Sequence, residues 1–472
     1  MIVASSVLQD HDFISVLYIV SFAMFIYGLS GLTGPRTAVR GNRIAAAGMA
    51  LAVTATLLKP EIGNWPLIIL GVAIGTAIGV PAARQVKMTA MPQMVALFNG
   101  VGGGAVALIA WVEFRETDGF AGVATYVVIF SVFAAIVGSI SFWGSNIAFA
   151  KLQALLPGKP IAIGSVRIQA VINCGLLLIA VGCGVAITAG ETDGIWMIAL
   201  LVSAALLGTF VVLPIGGADM PVVISLLNAL TGLSAAATGI ALDNTALIVA
   251  GMLVGASGTI LTRLMAQAMN RSIPSIVAGG FGGEVAVASG ADTDRGPVRA
   301  TSAADAAIQM AYARLVVIVP GYGMAVAQAQ HAVRELAKSL ESRGVEVRYA
   351  IHPVAGRMPG HMNVLLAEAD VPYEQLKEMD DINPEFARTD VALVIGANDV
   401  TNPDARTKPD SPIYGMPVLD VEQAASVIVL KRSMSSGFAG IDNPLFYNPK
   451  TSMLFGDAKQ SVSDVSEELK SL

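Results

Sequence analysis

Residues 315–326 read LVVIVPGYGMAV, and this stretch defines the fold of the second half of the chain. Its first six residues form the apolar, β-branched run that is typical of a buried parallel strand. A turn with two glycines follows, then a helical pattern to about Arg343 and a second strand at Val345–Ile351. Strand, glycine turn, helix and strand in this order predict a dinucleotide-binding unit, in which the helix amino terminus faces a pyrophosphate.

The turn has glycines at residues 321 and 323, which permit a close approach of the backbone to a ligand. Val326 stands where the usual pattern has a third glycine, so the turn alone is a weak signal. Later apolar runs support it, because they supply further strands of a doubly wound parallel sheet. We predict these strands at Val391–Ile395, Pro417–Val421 and Ser426–Leu430.

Three of the predicted strands are followed by segments that are polar or rich in glycine, at residues 352–357, 396–399 and 431–433. A basic residue at a strand end is usually a solvated surface charge. Ligands of doubly wound sheets, however, bind beyond the carboxyl ends of the strands, and these three ends meet at one edge. The combination favours a binding site there.

The charges near this edge indicate which dinucleotide it binds. An NAD site has an acid about 20 residues past the glycines, which holds the ribose 2′-hydroxyl. Glu346 is near that count but opens the second strand, and the strand ends with Ile351 and His352. Lys431 and Arg432 are adjacent cations suited to a 2′-phosphate. The sequence therefore favours NADP(H).

The first half of the chain has a different composition. The whole chain is 54% hydrophobic and 14% charged, whereas soluble domains are about 25% charged. Residues 1–270 hold 11 basic and 10 acidic residues, and residues 271–472 hold 18 and 25. This predicts a membrane domain followed by an acidic soluble domain, and it argues against nucleic-acid binding. Cys174 and Cys183 share one apolar segment and are expected to be reduced.

Apolar segments of the length that a bilayer requires recur nine times in the first half. They lie at about 13–32, 43–58, 66–82, 91–112, 122–143, 166–189, 195–213, 220–241 and 245–266. Basic residues concentrate in alternate loops, at Arg36, Arg40, Arg43, Arg84, Lys87, Lys151, Lys159, Arg167 and Arg271. By the positive-inside rule, the amino terminus lies outside a bacterial cytoplasmic membrane and the carboxyl-terminal domain lies in the cytoplasm. A signal peptide is the alternative for the first segment, but Asp10 and Asp12 precede it instead of a cationic run.

Polar residues in or beside these segments are Asn99, Ser145, Asn146, Asn173, Asp219 and Asn228. An unpaired buried amide costs several kcal/mol, so such groups face a partner or water, and ordinary interhelical hydrogen bonds are the alternative to a functional role. Asp219 is the most suggestive, because Pro214 and Pro221 flank it and favour an irregular, hydrated backbone. None of the four histidines lies in a predicted span, so no imidazole of this chain carries protons at mid-membrane.

The sequence resembles the beta subunits of proton-translocating NAD(P) transhydrogenases over essentially its whole length. The most specific stretches are 216–228, 263–283, 320–330, 352–369, 395–399 and 431–446. The resemblance implies a proton-conducting polytopic α-helical domain at 1–270 and an NADP(H)-binding α/β Rossmann-like domain at 313–472. A linker at 271–312 would join them, with a short helix that Ser302 and Asp305 cap. It also implies that NAD(H) binds to a separate alpha subunit, that the complex is dimeric, and that no metal is bound.

The resemblance also implies roles for individual residues. The cofactor-binding set is Gly321, Tyr322, Gly323, Met324, Ala325, Val326, Val354, Ala355, Gly356, Arg357, Met358, Pro359, Gly396, Asn398, Asp399, Lys431, Arg432, Ser433, Gly437, Phe438 and Ala439. The set tied to proton passage is Asn99, Ser145, Asp219 and Asn228. Two positions depart from the family pattern, because some members have histidine at Asn99 and others have tyrosine at Phe438. The first departure agrees with spans that contain no histidine, and the second removes a hydroxyl contact from the lid.

The expected reaction is direct hydride transfer from NADH on the alpha subunit to NADP⁺ on this chain, driven by inward proton movement. No catalytic side chain is expected to touch the hydride, because the protein's task is orientation and control of affinity. The main alternative is an ion channel or secondary transporter that a nucleotide-binding domain regulates. A membrane electron-transfer subunit is disfavoured, because the sequence lacks heme-type or cluster-type spacing of cysteine and histidine.

Overall fold

The structure is a computed structural model, and it describes residues 9–32, 34–60, 62–86, 90–157, 160–161, 164–216, 219–269, 272–277, 297–356, 360–411, 413–435, 437 and 439–472. Nine long helices occupy the described part of the apolar half, and each overlaps one of the nine predicted segments. They are α1 His11–Gly31, α2 Pro35–Leu57, α3 Trp65–Gln85, α4 Met91–Glu116, α5 Thr125–Leu152, α6 Val166–Thr188, α7 Gly194–Val212, α8 Met220–Ala241 and α9 Thr245–Ala268. The predicted helical membrane architecture is confirmed.

Of these nine described helices, eight are long and apolar enough to cross a membrane, and the ninth, α2, is not. Arg40 and Arg43 lower the hydropathy of its first turns. The predicted span at 43–58 is therefore a helix, but its apolar part is shorter than that of its neighbours.

Glycines bring several of these helices close together, which is the usual basis of helix packing in a membrane. A Cβ atom on Gly103 of α4 would lie 2.9 Å from the carbonyl oxygen of Gly138 in α5, and one on Gly251 of α9 would lie 2.6 Å from that of Gly232 in α8. The backbones could not approach so closely with larger residues. Helix α3 differs, since it buries none of its side chains within the described part of the chain.

The second half contains a six-stranded, fully parallel sheet in the order β3-β2-β1-β4-β5-β6. The strands are β1 Leu315–Pro320, β2 Glu346–Ile351, β3 Leu376–Glu378, β4 Val391–Ile395, β5 Ser426–Lys431 and β6 Thr451–Phe455. This order confirms the predicted α/β doubly wound class, because the chain moves outward from β1 in both directions. It also places the ends of β1 and β4 side by side.

The prediction of a strand at Pro417–Val421 is wrong. This segment is held by loop contacts, since the Leu419 amide donates to the Val400 carbonyl at 2.9 Å and a 3₁₀ turn begins at Val421. Two real strands, β3 and β6, were not predicted. Both contain polar residues and lie at the edges of the sheet, where the apolar signal is weaker.

The remaining helices are α10 Ile273–Val277, α11 Ala303–Ala311, α12 Tyr322–Val326, α13 Gln330–Glu341, α14 His361–Glu368, α15 Met379–Ile382, α16 Asp404–Thr407 and α17 Ala458–Ser471. The Ser302 hydroxyl accepts a hydrogen bond from the Asp305 amide at 3.1 Å, which confirms the predicted helix cap. The single helix predicted after the glycine turn is divided into α12 and α13. Gln328, between them, has a left-handed backbone with φ of 50°.

Two layers of helices and loops cover the sheet. Val316 and Ile318 point into one apolar core with α13 and α17, and Val317 and Val319 point into the other with the buried Phe386. The alternation follows from the strand geometry, which directs successive side chains to opposite faces. Burial of both faces explains the continuous apolar run that identified β1 in the sequence.

Candidate functional site

The glycine turn lies where β1 and β4 end next to each other. The Gly321 amide donates to the Ile395 carbonyl at 2.9 Å, and the Gly323 amide donates to the Gly396 carbonyl at 3.0 Å. A Cβ atom on Gly323 would lie 2.7 Å from the Cα of Gly396. The two turns therefore contact each other through their backbones, at the place where the strand order changes direction and where ligands of such sheets bind.

The rest of the turn is formed by α12, which is only five residues long. Met324 and Ala325 are fully buried, whereas Val326 is 49% exposed. A third glycine normally lets a long helix pack closely on the strand. Here the first helix ends at Val326 before such packing begins, which explains why a β-branched residue is tolerated.

The loop after β2 is fixed by a buried histidine. His352 is 2% exposed; its Nε2 donates to the Pro417 carbonyl at 2.8 Å and its Nδ1 accepts from the Val354 amide at 3.2 Å. Burial lowers the pKa of His352 to about 4, so the ring is neutral at physiological pH. The imidazole thus ties Val354 and the buried Ala355 to the segment that had been predicted as a strand.

Gly356, the last described residue before 357–359, has φ of 111°, a backbone conformation that favours glycine. A Cβ atom there would also lie 2.6 Å from Cβ of His361, at the start of α14. Arg357, Met358 and Pro359, which were predicted to lie over the cofactor, are outside the described residues.

The loop after β4, residues 396–402 (the β4 loop), contacts the segment after β5. We call residues 433–443 the lid segment, of which Ser436 and Phe438 lie outside the described residues. Asp399 Oδ2 accepts a hydrogen bond from the Ala439 amide at 3.0 Å. A Cβ atom on Gly437 would lie 2.6 Å from Asp399 Oδ1 and 3.0 Å from Asn398 Cβ. The structure therefore brings together predicted site residues from two separate stretches.

The two cations at the end of β5 have different environments. Lys431 is partly buried, and its Nζ donates to the Ser435 carbonyl at 2.6 Å and lies 4.5 Å from the centre of the Phe446 ring. Burial lowers the pKa of Lys431, and the charges of Asp442 and Asp399 oppose that shift. Arg432 and Ser433, in contrast, are exposed.

In the membrane domain, Asn99 and Ser145 are in direct contact. Asn99 Nδ2 lies 2.9 Å from the Ser145 hydroxyl and 3.3 Å from that of Ser141, and Ser141 Oγ donates to the Leu227 carbonyl at 3.1 Å. Asn99 Oδ1 is buried and has no hydrogen-bond partner among the residues that the structure describes. Three helices, α4, α5 and α8, thus meet at one polar cluster that also includes Thr231.

The other predicted polar residues lie elsewhere. Asp219 is 6% exposed and precedes the first turn of α8, about 13 Å along the helix from the half-buried Asn228. Asn146 donates to the Phe142 carbonyl of its own helix at 2.8 Å, and Asn173 accepts from Gln169 of its own helix at 3.5 Å. The hydrogen bonds of Asn146 and Asn173 are therefore structural, but they lie within single helices and are not the interhelical bonds that the sequence left open as the alternative.

Comparison with known proteins agrees with this architecture. A sequence profile of the NAD(P) transhydrogenase beta subunit family matches residues 14–468. Two curated relatives, both named NAD(P) transhydrogenase subunit beta and both from Rhodospirillum rubrum, are 51% identical over 469 residues, which cover 98% of this chain and all of each relative. The chain belongs to the NAD(P) transhydrogenase beta subunit family. It is accordingly part of an oxidoreductase, and its apolar helices make it an integral membrane protein.

Two residues of this transhydrogenase chain were missed as site candidates. Lys151 had been counted only as a loop charge, yet it is 4% exposed and donates to the carbonyls of Leu213 and Ile215, the latter at 2.8 Å. Asn443, the last residue of the lid segment, is fully buried and contacts the β4 loop. Asn443 lies in the stretch 431–446 that carries the family resemblance, but its own local signal is an Asn-Pro pair that opens a turn, and such pairs are common in loops.

Proposed function

We propose that this chain binds NADP(H) at the carboxyl edge of its sheet. It would couple inward proton movement to hydride transfer from NADH, held on an alpha subunit, to NADP⁺. The observation that carries the nucleotide assignment is the position of charges around the crevice between the ends of β1 and β4. The cation Lys431 ends β5 and Arg432 follows it at this edge, whereas the neutral, buried His352 follows β2.

The acid that an NAD site would use is far from this edge. Glu346 is the first residue of β2, about 16 Å along the strand from its carboxyl end. It accepts a hydrogen bond from Arg348 Nε at 2.7 Å, so its charge is already compensated. A guanidinium such as that of Arg432 binds a phosphate through two parallel hydrogen bonds. These charges support a 2′-phosphorylated nucleotide over NAD(H).

The nucleotide, when bound, supplies the hydride chemistry. The residues of this chain would orient it and exclude water. The absence of side chains at Gly321 and Gly323 lets this turn pack directly against Gly396 and Ala397, and the backbone of the turn would hold the pyrophosphate. The lid segment and the loop that begins at Val354 would close over the cofactor, and Asp399 would respond to its redox state.

We further propose that Asn99, Ser145, Asp219 and Asn228 belong to the proton path. The buried Oδ1 of Asn99, which has no partner among the described residues, supports this, because an acceptor in that position favours water or another donor. One charge that crosses 100 mV releases about 2.3 kcal/mol. That energy corresponds to a more than tenfold shift in a binding equilibrium, which is enough to change the affinity for a nucleotide.

The name of the family supports an alpha subunit as the partner, which would contribute the NAD(H) domain and further spans, in a complex that forms a dimer. We propose that residues 1–270 are the membrane domain, 271–312 the linker with its short helix, and 313–472 the nucleotide domain. The basic loops favour a bacterial cytoplasmic membrane with the nucleotide domain in the cytoplasm.

The nucleotide assignment is tested with Arg432→Ala in the complete complex. NADPH and NADH binding are measured by titration, and Arg388→Ala, an exposed arginine before β4, is the matched control. We expect the affinity for NADPH to fall at least tenfold in Arg432→Ala and to stay unchanged in the control. A wild-type domain that ignores NADPH, or an Arg432→Ala variant with undiminished affinity, contradicts the assignment.

A further inference from the structure

We propose that Asn443 is a positioning residue for the nucleotide site: its side chain fastens the anchored end of the lid segment to the β4 loop, so that the two move as one unit. This inference rests on the proposed function, because it concerns how the site keeps and releases NADP(H). Asn443 is not among the residues that the sequence assigned to the site.

The side chain of Asn443 joins two pieces of backbone. Its Nδ2 donates to the Asn398 carbonyl at 3.0 Å and lies 3.3 Å from Asn398 Oδ1. Its Oδ1 accepts from the Leu445 amide at 3.0 Å. Asn443 is 0% exposed. Both ends of the amide are therefore used away from water, where a broken hydrogen bond leaves an unsatisfied group and costs the full desolvation penalty.

The chain immediately after Asn443 is fixed. Pro444 restricts the backbone, and Leu445 and Phe446 are each 1% exposed in the core under the sheet. The described residues before Asn443 are less buried, since Ser433, Ser435 and Gly440 are exposed. Asn443 thus marks the boundary between the fixed chain and the segment that would open.

The partner of Asn443 belongs to the same loop as the proposed redox-sensing residue. Asn398 precedes Asp399, and Asp399 Oδ2 accepts from the Ala439 amide in the middle of the lid segment. A second bond runs in parallel, from Asn402 Nδ2 to the Asp442 carbonyl at 3.0 Å. A displacement of Asp399 therefore reaches the lid segment at Ala439 while Asn443 holds its end in register. Without Asn443, the coupling of the lid segment to the β4 loop would rely on the hydrogen bonds at Ala439 and Asp442.

The test uses the complete complex and two variants of the same residue. Asn443→Ala removes both functions of the amide. Asn443→Asp keeps the acceptor for the Leu445 amide but loses the donor to the Asn398 carbonyl. Thr389→Val is the matched control. Thr389 is 1% exposed, and its hydroxyl donates to the Glu385 carbonyl at 3.0 Å before the amino-terminal end of β4, away from the nucleotide site.

The rate of NADPH release and the KM values for both nucleotides are measured in each variant. We expect Asn443→Ala and Asn443→Asp to release NADPH at least tenfold faster and to raise the KM for NADP⁺, with the KM for NADH on the partner unchanged. Thr389→Val should lower the unfolding temperature without changing release. Combining Asn443→Asp with Asp399→Asn should change release by less than the product of the single effects, because both act on one contact system.

Three results overturn the inference. They are an unchanged rate of NADPH release in both Asn443 variants, an equal acceleration of NADPH release by Thr389→Val, or an equal rise in the KM values for NADP⁺ and NADH. If Asn443→Ala does not fold, Asn443→Asp alone decides. A wild-type complex that does not hold NADPH refutes the proposed function instead, so the two failures are distinguishable.

Discussion

Replacement of Gly323 by alanine tests whether the nucleotide binds where the turn after β1 contacts the turn after β4. The new Cβ atom would lie 2.7 Å from Gly396 Cα and 3.2 Å from its carbonyl oxygen, whereas ordinary contact begins at 3.4 Å. The turn must therefore move by about 0.7 Å. Overpacking of this kind costs about 1–3 kcal/mol of stability. A misplacement near 1 Å can reduce function about 100-fold, so we expect the affinity for NADPH to fall at least tenfold.

The assay is an NADPH titration of the complete complex together with its unfolding temperature. Gly344→Ala is the control, because Gly344 has φ of 85° and a Cβ atom there meets nothing within 4 Å. Its strained backbone costs about 1–2 kcal/mol without touching the crevice. Undiminished NADPH affinity in a folded Gly323→Ala variant would refute the assignment, as would an equal loss in the control.

Three further predictions concern single side chains. His352 has a pKa of about 4 in the folded chain and about 6.5 when unfolded, because burial disfavours the charged ring. The fold is therefore about 3 kcal/mol more stable above pH 6.5 than below pH 4, and this stability is lost as the pH falls toward 4. His352→Gln should remove that part of the pH dependence of the unfolding free energy. Lys151→Met should lower the unfolding temperature in detergent, because the carbonyls of Leu213 and Ile215 lose their donor; an unchanged midpoint would show that water replaces the ammonium. Asp219→Asn should abolish the pH dependence of NADPH release, and a wild-type pH profile would exclude Asp219 from the proton path.

The central strands could be predicted because their information is local. Strands β1 and β4 lie in the middle of the sheet and are apolar on both faces, so the predicted ranges agree with the structure residue for residue. Strands β3 and β6 lie at the edges and could not be recognised in the same way. Pro417–Val421 has a strand-like composition, but contacts with His352 and Val400 determine its conformation.

The candidate site was predictable in its sequence segments and not in its contacts. Asp399 and Gly437 were both named from the sequence, yet their proximity depends on how the chain returns after β5. Asn443 is invisible to motif reasoning for the same reason, because its partner Asn398 is 45 residues away. Local patterns report elements and turns, whereas a buried amide between two loops is a property of the tertiary structure.

The polar residues of the membrane helices illustrate the same limit. Asn99, Asn146 and Asn173 look alike in sequence, since each is an amide in an apolar run. In the structure, Asn146 and Asn173 bond within their own helices, whereas Asn99 joins α4 to α5 and keeps a buried acceptor. The three asparagines differ in the helix face on which they lie. Buried helices are apolar on all faces, so the sequence pattern does not show which face a residue is on.

The most direct test is to measure NADPH release from the complete complex in proteoliposomes, with and without an imposed proton gradient. At about 100 mV, directed toward the side of the nucleotide domain, we expect the release rate to change more than tenfold relative to vesicles made leaky to protons. The same release rate in energised and leaky vesicles would contradict the proposed coupling.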